Sequence, residues 1–316
     1  MMNSYELLIC PRAVVGGCDA EVKLVSSAGG GTVPDAARAA LWWRDTPRMD
    51  GAKVGAIGEF TADDGEAAAV LLAGATQYLR EQSCSFAVGP LNGNTWQQHR
   101  FVVESSGRGP FLLEPRNFAE HPGWWESAGF SELSRYSSSV IALDGSEAIS
   151  AAVRSRLVKT GVCVRSIDLS HYDDELRVIY ALSLKSFTAN FLYTPLEESA
   201  FLAAYQKVRD QVEPRLVKIA ECNGLPCGFV FGIPDLEALR RGEKPALIVK
   251  TLAVDPEARC PGLGSLLVDE LHRSGRENGY TEAIHALQHE TNRSLKITGR
   301  YQGEVFRRYA LFSKLL

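Results

Sequence analysis

The chain has 316 residues, of which 45% are hydrophobic and 23% charged, and its formal net charge is −4. These values are typical of a globular protein of about two domains, and the mild acidity gives no reason to expect a nucleic-acid partner. No apolar run approaches the roughly 20 residues of a membrane-spanning helix, and the N-terminal stretch lacks the pattern of a signal peptide. The seven cysteines are an odd number without metal-ligand spacing, which predicts reduced thiols, no metal site and a cytoplasmic location.

In the first half, short apolar runs predict β-strands and one longer amphipathic run predicts a helix. The candidate strands are Tyr5–Ile9, Glu21–Val25, Lys53–Phe60, Ser85–Val88 and Tyr136–Leu143, and the main helix is Glu66–Gln82. Asp35–Trp43 is predicted to be a short helix, and the Gly-rich run Ala28–Thr32 a loop or local linker. Between Pro90 and Phe130 the chain is polar and aromatic, as expected either for a small-molecule site or for irregular structure packed by its tryptophans.

The second half is predicted to open with a connecting helix and a strand, and to continue through two helices and a hairpin. These elements are Ser146–Val158, Val162–Leu169, Tyr172–Phe187, Leu196–Val208 and the strand pair Arg215–Glu221 and Pro226–Ile233. The hairpin turn contains Asn223-Gly224, a dipeptide typical of tight β-turns. From Leu247 to Leu287 the order strand, turn, helix, strand of the first half returns, which indicates a diverged internal duplication.

The stretch Leu247–Leu267, LIVKTLAVDPEARCPGLGSLL, is predicted to form a buried strand, a Gly-rich turn and the start of a helix. The first N–H groups of a helix have no internal partners, and the helix dipole adds partial positive charge there. Gly262 and Gly264 keep side chains away from those N–H groups, and Arg259 adds a permanent positive charge. Such a turn is suited to binding a pyrophosphate.

The complete pattern V-x-P-x-x-R-x-x-G-x-G-x-x-L, from Val254 to Leu267, resembles the acyl-CoA pyrophosphate loop of the GNAT N-acetyltransferase superfamily. The resemblance implies an α/β (α+β) fold of two GNAT-like domains, each a mixed, mostly antiparallel twisted sheet flanked by helices. It covers nearly the whole chain and is strongest in the second half. We expect residues 146–316 to bind the acyl-CoA. Residues 1–145 are expected to be a degenerate copy without the cofactor loop, because Asp63, Asp64 and Glu66 stand at its helix start and repel phosphates.

The resemblance implies acetyl-CoA as the cofactor and assigns its contacts. The pyrophosphate would lie at Arg259, Gly262, Leu263, Gly264 and Ser265, the acyl carbonyl would meet a backbone N–H at Leu252, Ala253 or Val254, and Asn292 would contact the cofactor arm. Family members often carry a tyrosine seven residues after this asparagine, and it protonates the departing thiolate. Counting from Asn292 gives Gly299 instead, so the usual acid is missing.

Three residues are candidates for the catalytic proton transfers: His289, Tyr301 and His285. The histidines flank the end of the strand beside the cofactor groove, and the ordinary pKa of histidine suits base work at neutral pH. Either histidine could instead be a surface or core residue that makes one hydrogen bond. Tyr301 is the nearest replacement for the missing acid and Tyr309 a second candidate, although both could be structural and water could fill either role. Cys260, at the helix start, is a weaker candidate nucleophile because no histidine is placed beside it.

The sequence therefore predicts an acyl-CoA-dependent N-acetyltransferase. Its acceptor would be a small-molecule amine or a peptide, and the protein would act as a monomer or homodimer without nucleic acid or membrane. One alternative is a CoA-binding sensor or pseudo-enzyme without catalysis, which Gly299 at the position of the usual acid favours. Another is an interaction protein whose loop binds no CoA.

Overall fold

The structure, a computed structural model, describes residues 5–12, 17–26 and 35–316. The predicted break at Ala28–Thr32 lies outside these residues. The described elements of the first half are β1 (Tyr5–Pro11), β2 (Ala20–Ser26), β3 (Ala37–Trp42), β4 (Arg48–Met49), β5 (Ala52–Ala62), α1 (Gly65–Glu81), β6 (Phe86–Gly89), β7 (Phe101–Ser105), α2 (His121–Ser127) and β8 (Ser131–Ala142). Those of the second half are α3 (Ala151–Lys159), β9 (Val162–Ser166), α4 (Tyr172–Phe187), α5 (Glu198–Gln206), β10 (Val217–Cys222), β11 (Leu225–Pro234), α6 (Leu236–Arg240), β12 (Ala246–Val254), α7 (Leu263–Glu277), β13 (Glu282–His289), α8 (Ser294–Arg300) and β14 (Glu304–Leu315).

The predicted helix at Asp35–Trp43 is wrong, because this segment is strand β3. Alanines favour a helix in isolation, but here β3 pairs with β2 on one side and β5 on the other. Its apolar residues Ala37, Ala39 and Leu41 are buried in the same cluster as the inner face of α1. Pairing and burial therefore override the local preference. Strand β7 was also not predicted, and it lies within the polar segment between Pro90 and Phe130.

The strands form one continuous mixed sheet. Its order is β1-β2-β3-β5-β6-β14-β8-β13-β12-β11-β10-β9, with β4 beside β5 and β7 beside β14. Two neighbouring pairs are parallel, β5 with β6 and β12 with β13. Each of these pairs is connected through one helix, α1 or α7, as parallel strands require. The repeat of this unit reproduces the internal duplication seen in the sequence.

The two halves exchange strands in the middle of the sheet. The final strand, β14, lies between β6 and β8 of the first half. In turn β8, the last strand of the first half, pairs with β13 of the second half, for example Tyr136 with His289. Each half therefore contributes one strand that pairs with strands of the other half.

Helix α7 is held against the sheet by a row of leucines. Leu263, Leu266, Leu267 and Leu271 are buried on its inner face, where they share one apolar cluster with Leu247 and other residues of the neighbouring strands. Burial of each such side chain contributes about 1.5–3 kcal/mol. This packing fixes the position of the helix start that follows β12. None of the helices in the described ranges is long and apolar enough to cross a membrane.

Candidate functional site

A wedge-shaped groove opens in the sheet between β12 and β13. The two strands are paired only from Ala246 and Glu282 to Val249 and His285. Beyond that point β12 stays paired with β11 as far as Val254, while β13 stays paired with β8 up to its end. The facing edges of the two strands diverge, so backbone groups on them are free to bind a ligand.

The loop after β12 has a defined geometry. The carboxylate of Asp255 fixes its start, because it accepts hydrogen bonds from Lys185 Nζ of α4 (2.9 Å) and from the N–H of Glu257 (2.9 Å). The bond from Lys185 holds the pKa of Asp255 below its ordinary value. Gly262 is the N-cap of α7 with φ +96°, a left-handed conformation that favours glycine. A Cβ at this position would also lie 2.8 Å from Cγ1 of Val153 in α3, so the turn leaves no room for a side chain.

The first turn of α7 offers hydrogen-bond donors. The N–H of Leu263 donates to the carbonyl of Cys260 (3.1 Å). The N–H groups of Gly264 and Ser265 follow it in the first turn, where a helix supplies no acceptor of its own. Arg259 is exposed in this loop, with φ +47°. One short segment thus contains two N–H groups without helical acceptors, the positive end of the helix dipole and a guanidinium. Segments of this kind are suited to binding an anion.

The predicted strand residues lie along the groove at the end of β12. Leu252 packs on the side of α8, in a cluster with Ile297. Ala253 is buried on the opposite face of the sheet, in the cluster of α4 and α5. The carbonyl of Val254 accepts a hydrogen bond from Ser186 Oγ of α4 (3.0 Å). The structure therefore places the predicted strand residues immediately before the loop that leads to α7.

Helix α8 packs beside the loop. Gly299, which stands at the position of the usual acid, does not face the loop. A Cβ at Gly264 would lie 3.4 Å from Cδ1 of Ile297, so this face of α8 borders the helix start of α7. A Cβ at Gly299 would meet no heavy atom within 4 Å in the described structure. Asn292 precedes the helix and its Oδ1 accepts the N–H of Ser294 (2.9 Å). Asn292 thus closes a turn just before α8.

Both ring nitrogens of His285 are engaged in a buried network. Its Nδ1 lies 2.7 Å from Thr298 Oγ1, whose hydroxyl hydrogen points to Gln288 Oε1 (2.9 Å), so Nδ1 is the donor. Its Nε2, 3.1 Å from Nε2 of His272, then accepts the N–H of that residue. Burial lowers the pKa of His285 well below its ordinary value and that of His272 to about 4. The neutral pair connects β13 to α7 and α8 and leaves His285 no lone pair for a substrate.

The tyrosines and the cysteine near the site are also bound internally. Tyr301 donates its hydroxyl hydrogen to Asp269 of α7, and Tyr309 donates to Glu114. Burial, and next the bonded carboxylate, raise the pKa of Tyr301 above its ordinary value. Burial likewise raises the pKa of the Cys260 thiol, so the helix start does not produce a thiolate there. The Cys260 thiol also donates to the carbonyl of Ala258 (3.1 Å), so the internal bonds favour structural roles for all three side chains.

His289 lies at the end of β13 among aromatic rings. It stacks on Phe191, with 5.5 Å between centroids and 28° between planes, and it meets Tyr136 edge-on at 4.9 Å. Its Nδ1 accepts the N–H of Thr291 (3.1 Å), which places the proton on Nε2. This Nε2 is buried and has no partner among the described residues. Burial lowers the pKa of His289, so the ring is neutral at pH 7.

The first half contributes a buried guanidinium, that of Arg100, beside Tyr136. The sequence analysis included this residue only within the polar segment between Pro90 and Phe130. Arg100 is 8% exposed, donates from Nη1 to the carbonyl of Leu287 (3.1 Å), and lies over the ring of Tyr136 at 4.0 Å. Its Nη2 contacts Nε2 of His99, and its Nε has no partner in the part of the chain that the structure describes. Burial lowers the pKa of Arg100 to about 10, so it remains a cation at neutral pH. A buried cation bonded to neutral groups is suited to receive an anion.

In the first half, the wedge between β5 and β6 is filled by the chain itself. The N–H of Leu91 donates to the carbonyl of Ile57 (2.8 Å), and Asn92 Oδ1 accepts a further N–H of β5 (3.1 Å). At the start of α1 the carboxylate of Asp64 accepts the N–H of Ala67 (2.8 Å). A side chain of the protein thus occupies the place that an anion would take.

Residues 176–298 match the model of the Acetyltransferase (GNAT) family. This segment is a GNAT domain. It contains the groove strands β12 and β13, the loop and α7. Helix α3 and strand β14 lie outside the matched residues.

Comparison of the whole chain with solved structures shows which fold it has. It superposes on a tandem GNAT protein from the clavulanic acid biosynthesis pathway with a TM-score of 0.53, at 12% identity and with 99% of this chain and 98% of that chain covered. The architecture is therefore that of two GNAT folds in one chain, in agreement with the predicted fold class.

Two curated proteins are similar in sequence. YghO of Escherichia coli (strain K12) is 23% identical over 55% of this chain and 45% of its own length. The bacterial ceramide synthase of Caulobacter vibrioides is 25% identical over 60% of this chain and 50% of its own length. The matched region thus spans about half the length of these relatives.

Proposed function

We propose that this protein transfers an acyl group from acyl-CoA to an amine, with acetyl-CoA as the donor. The observation that carries the proposal is the groove between β12 and β13, which adjoins the helix start at Gly262–Ser265. A CoA thioester needs a free strand edge for its arm and orphan N–H groups for its diphosphate, and this region offers both. The GNAT family match over residues 176–298 supports the same donor chemistry.

The diphosphate would be bound by the N–H groups of Gly264 and Ser265 together with Arg259. Leu263, buried beneath the turn, would hold these donors in place. Gly262 would keep the approach to them open. Because Asn292 Oδ1 is already engaged by the chain, its amide NH₂ would be the group that contacts the cofactor arm.

The thioester carbonyl would accept a backbone N–H from the groove edge of β12, at Leu252, Ala253 or Val254. As the amine nitrogen bonds to the carbonyl carbon, charge develops on the oxygen, and one donor aimed at that oxygen is worth about 3 kcal/mol. The C–S bond then breaks, and the CoA thiolate takes up a proton. The amine loses a proton in the same reaction, so a base is also needed.

We propose His289 or a water molecule as that base. His289 is neutral and lies at the end of β13, next to the groove. For Nε2 to accept a proton, the proton that it carries would have to move to Nδ1, at the expense of the bond from Thr291. The roles predicted for His285 and Tyr301 stay predictions, and their internal bonds favour structural roles.

The acceptor pocket would be shared by the two halves. The segment before β7 is joined to the α4–α5 connection by a hydrogen bond from Trp96 Nε1 to the carbonyl of Thr194 (2.8 Å). The cluster of Arg100, His99 and Tyr136 lies where these segments meet β13. Small-molecule amines and peptides are both candidate acceptors. The similarity to a bacterial ceramide synthase adds lipid amines and long-chain acyl-CoA to the compounds worth testing.

We further propose that the first half binds no CoA and that the protein is a cytoplasmic monomer or homodimer. The filled wedge between β5 and β6 and the cap by Asp64 support the first point. The seven free thiols support the cytoplasmic location, because reducing compartments keep cysteines in this state.

Calorimetry with acetyl-CoA tests the donor site. We expect micromolar binding to the native protein and a loss of at least about 10-fold in affinity for Arg259→Glu, because a carboxylate beside the diphosphate reverses a favourable charge contact. Lys207→Glu makes the same change of charge at an exposed position after α5 and should bind as the native protein does. A folded native protein that binds no acetyl-CoA would overturn the proposal.

Thiol release separates catalysis from the alternative of a CoA-binding sensor. Acetyl-CoA and a long-chain acyl-CoA are incubated with a panel of small amines, peptides and lipid amines, and free CoA is followed. Amine-dependent release supports acyl transfer and excludes the sensor. Tight CoA binding with no release above background across the panel favours the sensor, in line with Gly299 at the position of the usual acid.

A further inference from the structure

A cavity of about 340 Å³ lies against the loop, on the side of α3. It lies within the size range of small-ligand sites. No acidic side chain lines it in the described structure. Its walls include Ser150 and Arg156 at α3, Pro261 and Gly262 of the loop, and Arg300 at the end of α8.

The walls of this cavity are fixed by a buried carboxylate. Asp269 of α7 accepts the N–H groups of Ala148 (2.7 Å) and Ile149 (3.2 Å), which lead into α3. It also accepts the hydroxyl hydrogen of Tyr301, the residue after α8. Two segments that border the cavity are thereby tied to α7, the helix whose start forms the candidate anion site. The cavity is a built feature and not a gap between loosely placed side chains.

Two arginines with spare donors face this space. Arg156 Nη2 donates to the carbonyl of Pro261 (2.8 Å), and Arg300 Nη1 donates to Ser265 Oγ (2.8 Å). These acceptors are neutral oxygens, and neither guanidinium forms an ion pair with a carboxylate within residues 5–12, 17–26 and 35–316. An arginine carries five N–H donors, so most of them remain for a ligand. The cavity therefore combines net positive charge with free donors.

We propose that this cavity binds the 3′-phosphate of the CoA ribose, with Arg156 and Arg300 as its ligands. The inference rests on the proposed function, because a diphosphate at Gly262–Ser265 leaves the ribose next to the cavity that shares Gly262. A phosphate monoester carries nearly two negative charges and pairs with the planar fork of guanidinium. Both arginines lie outside residues 176–298, so the recognition comes from the helix between the halves and the end of α8 and not from the matched GNAT segment.

The test compares CoA with 3′-dephospho-CoA by calorimetry on the full chain. We expect the native protein to bind CoA about 10- to 100-fold more tightly, the range expected for charge-assisted bonds to one phosphate. In Arg156→Ala/Arg300→Ala this preference should fall to about one, while the affinity for 3′-dephospho-CoA stays unchanged. Lys159→Ala removes a positive charge from the last residue of α3, which does not line the cavity, and should keep the native preference.

The outcomes distinguish this inference from the proposed function. Equal affinity of the native protein for the two ligands, or an unchanged preference in the double variant, overturns the inference and leaves the donor site intact. An equal loss for both ligands also overturns it, because the arginines would then serve the diphosphate or the fold. Failure of the native protein to bind either ligand overturns the proposed function and the inference together. The single variants Arg156→Lys and Arg300→Lys retain the positive charge. They therefore serve as controls for a loss of preference that is caused by misfolding.

Discussion

Gly262 is the residue on which the shape of the loop between β12 and α7 depends. We expect Gly262→Ala to lower the free energy of unfolding by about 2–3 kcal/mol, because a left-handed L-residue costs about 1–2 kcal/mol and overpacking adds more. Both causes are present here, since φ is +96° and the new Cβ would lie 2.8 Å from Val153. Urea unfolding followed by circular dichroism measures the change.

Gly264→Ala is the matched control for this prediction. The new Cβ would lie 3.4 Å from Ile297 and 3.7 Å from Leu252 and Val254, at normal contact distances. Since Gly264 is in the helix, alanine should leave stability unchanged or raise it by up to about 1 kcal/mol. Equal effects of the two substitutions would show that the left-handed turn and the contact with α3 do not matter.

The histidine pair His272 and His285 gives the protein a defined pH dependence. A histidine in the unfolded chain has a pKa of about 6.5, whereas burial lowers the pKa of His272 to about 4 and that of His285 well below its ordinary value. Below pH 6.5 the unfolded chain therefore takes up protons that the native protein does not bind. The pair should lower the free energy of unfolding by up to about 2.7 kcal/mol per pH unit as the pH falls toward 4.

The variant His272→Gln isolates one member of this pair. Its amide N–H can still donate to Nε2 of His285, while one titrating group is removed. Unfolding free energies measured at several pH values between about 7 and 5 should then fall less steeply, by up to about 1.4 kcal/mol per pH unit. Asp269, whose pKa is raised by burial, acts in the opposite direction, but it is present in both proteins. Identical slopes for the two proteins would contradict the assignment of neutral histidines.

At the scale of elements, the sequence predicted those features that depend on neighbouring residues. Strand β12, the loop and α7 form one contiguous segment, and its apolar runs, Pro256 and its glycines specify them locally. The boundaries of α4 agree with the prediction for the same reason, because its apolar positions repeat along one helix face. The candidate site residues between Leu247 and Leu267 could therefore be proposed from the sequence.

Features that depend on distant contacts could not be predicted in this way. Strand β3 has a helix-like composition, and only its pairing with β2 and β5 makes it a strand. Arg100 gains its position from a bond to Leu287 and contact with Tyr136, residues far along the chain. Arg156 borders the loop only because Asp269 ties the start of α3 to α7. Arg156 is visible in the sequence of the connecting helix Ser146–Val158, but no local pattern places it beside the loop before α7.

At the scale of the whole molecule, the exchange of β8 and β14 joins the two halves through the candidate site. The exchange pairs Tyr136 of β8 with His289 of β13 and so brings the first-half cluster around Arg100 to the end of the groove. Without β14, strand β6 would have an unpaired edge next to an apolar core. Exposed edges of this kind promote aggregation. The predicted halves, 1–145 and 146–316, should thus depend on each other for folding.

We therefore predict that neither half folds cooperatively when produced alone, and that the two produced together associate. The fragment 1–145 lacks β14, and the fragment 146–316 lacks β8, so each loses a central strand of the sheet. Size-exclusion chromatography and thermal unfolding of the separate and co-expressed fragments measure this dependence. The co-expressed pair should elute as one complex with a single transition and should bind acetyl-CoA. If 146–316 alone were monomeric, unfolded cooperatively and bound acetyl-CoA as tightly as the intact chain, the exchanged strand would be dispensable. The first half would then contribute only to the acceptor side of the groove.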